Sequence, residues 1–141
     1  MQASSPAKLY ATVVGAVLTI AGIVGFFYSS SFGSPGTVDD MVGIFAVNGW
    51  HNVLHLATGL LGLAAAGYFA RTYALAVGLL YLVVAIWGFL IGSGDAILSI
   101  VPVNTEDNVL HALIGVIGLL AAYAASEHEG VATTPASTAA R

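Results

Sequence analysis

Four apolar runs of about 20 residues each decide the solvent in which this chain folds, because an α-helix rising 1.5 Å per residue needs that length to cross about 30 Å of hydrocarbon. They extend from about Lys8 to Tyr28, Gly49 to Phe69, Thr72 to Gly92 and Thr105 to Ala125. Backbone donors and acceptors in lipid must be satisfied internally, and these runs lack the polar/apolar alternation of a barrel strand. The expected fold is therefore all-α and integral to a membrane, a four-helix transmembrane bundle. Composition agrees: 58% of residues are hydrophobic and 7% charged, against about 25% charged in soluble domains. The expected organisation is an N-terminal cytoplasmic segment at 1–7, a membrane domain at 8–125 and a polar tail at 126–141. That tail, SEHEGVATTPASTAAR, buries too little apolar surface to offset its ordering entropy and is expected to be mobile. The first run exceeds the 7 to 15 residues of a signal-peptide core and is read as retained.

Charge sets the expected orientation. Lys8 precedes the first run, Arg71 lies between the second and third, and Arg141 follows the fourth, so all three basic residues share one side, which the positive-inside rule makes cytoplasmic. Both termini are then cytoplasmic, and Asp39, Asp40, Asp95, Glu106 and Asp107 make the outer face acidic. The net charge of −4, with no basic cluster and no glycine-rich phosphate loop, argues against a nucleic-acid partner. The absence of cysteine excludes disulfides, thiolate nucleophiles and cysteine-based metal sites.

The chain also resembles itself. Val47–Ala66, VNGWHNVLHLATGLLGLAAA, and Val103–Ala122, VNTEDNVLHALIGVIGLLAA, are identical at 11 of 20 positions when offset by 56 residues. The first and third runs align at an offset of 63, which pairs Tyr10 with Tyr73, Gly15 with Gly78, Gly25 with Gly88 and Phe26 with Phe89. The seven-residue difference is an insertion around Phe32 to Val38. The expected architecture is two tandem helix-hairpin repeats, about 8–69 and 72–125, in parallel orientation about an axis along the membrane normal. His55 and His111 then sit at equal depth, and the second and fourth helices can be neighbours across that axis.

Around those histidines lies the chemistry. Asn48 and Asn104 suit the N-cap role, and Asp107, three residues on, can return to the cap amide and complement the helix dipole. His51 and His55, like Asp107 and His111, are spaced i, i+4 and share one helix face. Further along that face come Gly59 and Gly62 on one helix and Gly115 and Gly118 on the other, residues small enough for close helix contact. If the two faces meet, His51, His55, Asp107 and His111 form a three-imidazole, one-carboxylate set suited to Zn, Cu or non-haem Fe, with Asn52 and Asn108 as candidates to orient the rings. His55 and His111 alone suit axial ligation of a haem. The competing reading is structural: the Asn/His cluster knits two helices together through interhelical hydrogen bonds of roughly 0.6 to 2 kcal/mol each.

Remaining features have plainer roles. Met41–Val47 and Ala96–Val103 are semi-apolar and are expected to lie at the interface as short lids over the helix mouths. Tyr28, Trp50, Tyr68 and Trp87 fall near span ends, where amphipathic rings favour the headgroup level. Gly15, Gly22, Gly25, Gly78 and Gly88 read as helix-contact glycines. Tyr81 falls mid-span and requires a hydrogen-bond partner.

The paired motifs VN-x-x-HN-x-x-H-x-x-x-G, at Val47, Asn48, His51, Asn52, His55 and Gly59, and VN-x-x-DN-x-x-H-x-x-x-G, at Val103, Asn104, Asp107, Asn108, His111 and Gly115, resemble a bacterial membrane family described as domain of unknown function 4383. The resemblance covers about residues 8 to 125 and implies a four-span bacterial protein of the inner membrane. It marks the same polar residues and implies no activity, cofactor or partner.

The expected function is a structural or accessory membrane role, in which exposed helix faces contact the bilayer and a larger complex or a second copy. The alternative is a metal- or haem-binding module at the outer ends of the second and fourth helices. An enzyme is disfavoured because no nucleophile stands out, and a proton path because only the outer third is polar.

Overall fold

The computed structural model describes residues 5–33 and 39–132. The expected insertion therefore lies mostly outside the described residues, as do the first four residues and the tail from 133 onward. Eight elements follow in order: helix α1 (Pro6–Tyr28), strands β1 (Asp39–Met41) and β2 (Phe45–Val47), helices α2 (Gly49–Ala65) and α3 (Ala70–Ile91), strands β3 (Ala96–Ile97) and β4 (Val101–Pro102), and helix α4 (Thr105–Ala132). The fold is mostly helical, and α1, α3 and the Thr105–Ala125 part of α4 are long and apolar enough to cross a membrane.

Local chemistry sets the helix ends. Ser5 caps α1 by accepting from the Lys8 amide at 3.3 Å, and Pro6 enters the first turn, where its missing N–H costs nothing. Asn48 caps α2, its Oδ1 accepting from His51 N at 2.9 Å. That helix stops at Ala65, four residues before the expected Phe69. A turn through Gly67, a poor helix former, leads directly into α3. The 17 residues of α2 extend about 26 Å, less than the full hydrocarbon thickness. At the other end of the chain α4 runs on to Ala132, beyond the expected boundary at Ala125.

Packing is closest within each hairpin, α1 against α2 and α3 against α4. Glycines make the seams. A Cβ on Gly15 would lie 2.9 Å from Gly59 O, one on Gly22 would lie 2.7 Å from Leu56 N, and one on Gly78 would lie 2.9 Å from Leu119 N. The glycine tracks are helix contacts, but the Gly59/Gly62 face is not set against the Gly115/Gly118 face. Gly59 abuts Gly15 and Thr19 of α1, and Gly115 abuts Gly78 and Leu82 of α3. The physical reason is that α1 and α3 carry glycines of their own opposite these positions. Two facing glycine tracks allow the backbones to approach until small-residue packing is saturated.

The halves are joined by two matching bonds. Tyr10 Oη donates to Ile114 O and Tyr73 Oη to Thr58 O, each at 3.0 Å. The tyrosines align at the 63-residue offset and their acceptors at the 56-residue offset. Gly118 and Gly62 make the approach possible, because a Cβ there would fall 2.7 Å and 2.6 Å from the respective phenol oxygens. Away from these contacts large apolar residues such as Ile20, Leu61, Ile86 and Leu120 are exposed, which is what a lipid-facing surface needs.

The semi-apolar loops are two β-hairpins, β1–β2 and β3–β4, both antiparallel. Each turn spans three residues, 42–44 between the paired Met41 and Phe45 and 98–100 between Ile97 and Val101, and its first two stand at positive φ, Val42 (51°) with Gly43 (70°), and Leu98 (53°) with Ser99 (60°). The hairpins strap each other's helix. Asn48 Nδ2 donates to Ile100 O at 2.7 Å, and Asn104 Nδ2 donates to Ile44 O at 2.6 Å.

Candidate functional site

Beneath the two hairpins the N-terminal ends of α2 and α4 bring three imidazoles together. One ring nitrogen from each of His51, His55 and His111 lies within 4.8 Å of the other two. His51 and His111 are 2% and 4% exposed. The i, i+4 spacing puts His51 and His55 on one side of α2, with ring centroids 4.4 Å apart. The His111 ring approaches from α4, 5.8 Å from His51 and 6.0 Å from His55 by centroid.

Hydrogen bonds order the first ring. His51 Nδ1 is 2.8 Å from Ala46 O. A carbonyl only accepts, so this nitrogen carries the proton and leaves Nε2 with a free lone pair. That Nε2 lies 3.1 Å from His55 Nε2. Either His55 donates across this gap, or both nitrogens direct lone pairs at one ion. Metal–nitrogen bonds of about 2.0 to 2.1 Å at tetrahedral angles put ligand nitrogens about 3.3 Å apart, so the observed spacing accommodates the second arrangement. His111 Nδ1 is buried with no hydrogen-bond partner, a condition that costs about 1 to 3 kcal/mol for a polar atom removed from water.

Asp107 has other work. Its Oδ2 accepts from Ala46 N at 3.0 Å and from Asn104 N at 3.2 Å, while its own amide donates to Asn104 Oδ1 at 2.8 Å. This reciprocal pair is a capping box extended to the neighbouring hairpin. The structure thus groups His51, His55 and His111, and places the Asp107 carboxylate on backbone amides. Ala46 serves both: its carbonyl positions His51 and its amide holds Asp107. The position 56 residues on is Pro102, which has no amide to give, and His51 stands where the other half has a carboxylate.

Asn52 and Asn108 do not orient the rings. The Asn52 carboxamide occupies the space left by Gly25 and donates to Ser29 O at 2.8 Å. Asn108 occupies the equivalent space at Gly88, with Oδ1 buried and unpartnered. Gly62 and Gly118 contribute tyrosine seats rather than site walls. Tyr81, buried on α3, meets His111 edge-on at 5.2 Å between centroids. Trp50 is tied to Phe32 by a 3.2 Å bond to its carbonyl and an edge-to-face contact. The contributions that sequence reasoning missed are backbone atoms of Ile44, Ala46 and Ile100, which carry no residue-type signature. The only hint was the equivalent placing of the two loops.

A family model described as Domain of unknown function (DUF4383) matches residues 8–124. The chain belongs to this family. The match includes both hairpins and all three clustered histidines. Searches of curated proteins and of solved structures give no match.

Proposed function

We propose that this member of the family is a four-span membrane module, built as two parallel-oriented helix hairpins, that holds a transition-metal ion at His51, His55 and His111. The convergence of three ring nitrogens within 4.8 Å, on two buried residues and one half-buried one, is the observation that carries the reading. Three imidazoles are a ligand set for zinc or copper. The Ala46 carbonyl on His51 Nδ1 is the outer-sphere contact that commonly fixes a ligating tautomer. An ion at the cluster also gives the buried His111 ring a partner. A shift on the order of 1 Å in ring position closes the widest spacing to the bonding value.

The haem alternative requires a flat macrocycle between His55 and His111, where the His51 ring stands 3.1 Å from His55 Nε2. A small ion fits that gap. The accessory reading rests on short loops, the lack of a soluble domain and glycine-rich faces, and of these three the glycine faces close inside each hairpin.

Protein purified in mild detergent without chelator, then titrated with Zn(II) and Cu(II), is expected to bind one equivalent per chain by elemental analysis. Its melting temperature rises by the linkage effect, about 2.7 kcal/mol of stabilisation at a hundredfold excess of ion over Kd. His55→Ala and His111→Ala lose at least tenfold in affinity. No bound metal, together with variants that alter only the melting temperature, would falsify this reading and leave a structural polar cluster.

A further inference from the structure

The end of the molecule opposite the histidines carries an open-sided pocket of about 370 Å³ between the start of α1 and the α2–α3 turn. Its lining includes Ser5, Lys8, Tyr68, Arg71 and Thr72, and among the described residues no acidic one. Only three basic residues exist in the sequence, and two of them line this one pocket. They align at the 63-residue offset, one from each half. Arg71 is held in place by its Nε–H bond to Ala122 O at 3.2 Å, which leaves the rest of its guanidinium fork to bind an oxyanion. α3 starts at Ala70 without a side-chain cap, and Ala70, Arg71 and Thr72, whose amides lack an acceptor in that first turn, line the same pocket.

We propose that this pocket seats the phosphate of an anionic lipid headgroup. Two cations with hydroxyls at Ser5 and Thr72 match an oxyanion in both charge and hydrogen-bonding capacity. The depth points to a lipid: Lys8 and Arg71 lie in the first turns of helices 23 and 22 residues long, so the pocket opens at headgroup level and an acyl chain can continue down the apolar helix surface. Basic pockets between helices on the cytoplasmic side are a recurrent device for such lipids. The proposal rests on the membrane-spanning reading and is independent of metal at the histidines.

The test uses full-length protein in uncharged detergent, with binding of phosphatidylglycerol, phosphatidylcholine or inorganic phosphate followed by native mass spectrometry and thermal shift. Saturable retention of one phosphatidylglycerol is expected, at least tenfold tighter than phosphatidylcholine, weakening as salt is raised. Lys8→Gln alone, at a side chain remote from the helix seams, reduces the preference severalfold, and the Lys8→Gln, Arg71→Gln pair abolishes it. Equal retention of both lipids, or an unchanged preference in folded Lys8→Gln protein, overturns the proposal. Binding of inorganic phosphate as tight as that of the lipid overturns the headgroup as its source.

Discussion

At the residue scale, Asp107 shows how an acid near a helix mouth can be wholly structural in its contacts. Two backbone amides from different elements meet its Oδ2, Ala46 N and Asn104 N. Removing the carboxylate strands both donors, whereas an amide oxygen in its place can still accept. Asp107→Ala is expected to cost about 1 to 3 kcal/mol and Asp107→Asn less than about 1 kcal/mol, read as shifts in melting temperature in detergent. Equal losses would show that charge, rather than the acceptor, matters. The contrast with His51 rests on the facing strand: Ala46 offers an N–H where Pro102 has none, so a carboxylate is useful at one mouth and an imidazole at the other.

At the scale of elements, two features are open to test. The crossed phenol bonds from Tyr10 to Ile114 and from Tyr73 to Thr58 tie one hairpin to the other. Tyr10→Phe and Tyr73→Phe are each expected to lower stability by about 1 kcal/mol. The two rings are neighbours, 6.2 Å apart by centroid, so the double variant is expected to depart from the sum by about 0.5 kcal/mol or more. A Phe variant as stable as the parent would remove that tie from the account. The β1–β2 turn holds a β-branched residue, Val42, at φ 51°, where Cβ crowds the backbone. Relief of about 1 to 3 kcal/mol of strain outweighs glycine's entropic cost of about 0.5 to 1 kcal/mol, so Val42→Gly is expected to raise the melting temperature. A fall of several degrees would mean that the valine side chain contributes more by packing than its backbone costs.

For the whole molecule, the question is how many times the chain crosses the bilayer. Three helices qualify by length and composition, and the shorter α2 lies packed along α1. In the four-span arrangement α1, α3 and the two hairpins require α2 to cross as well, with local thinning of the bilayer or flanking turn residues covering its few missing ångströms. The chain contains no cysteine, so single cysteines can be introduced without removing any. Ser31→Cys and Ser99→Cys are expected to react with an impermeant maleimide from the outer side, and Thr72→Cys and Ser126→Cys only after the membrane is breached. Reaction of Ser31→Cys and Ser99→Cys from opposite sides rules out the parallel repeat.

Much of this was legible in the residues alone. Apolar length marked helices able to cross a membrane, three of which qualify in the structure, because no packed protein interior is needed to solvate such runs when lipid is available. The Asn and His identities across the 56-residue offset marked the polar mouth before any coordinate did. Tertiary structure decided the rest. Which glycine faces which depends on how closely two backbones approach, and a helix bearing small residues does not reveal its partner. The grouping of His51, His55 and His111, and the diversion of Asp107, depend on the carbonyl and amide of Ala46. Every residue but proline carries that same pair of groups, so only the path of the chain through space can say which side chain they will hold.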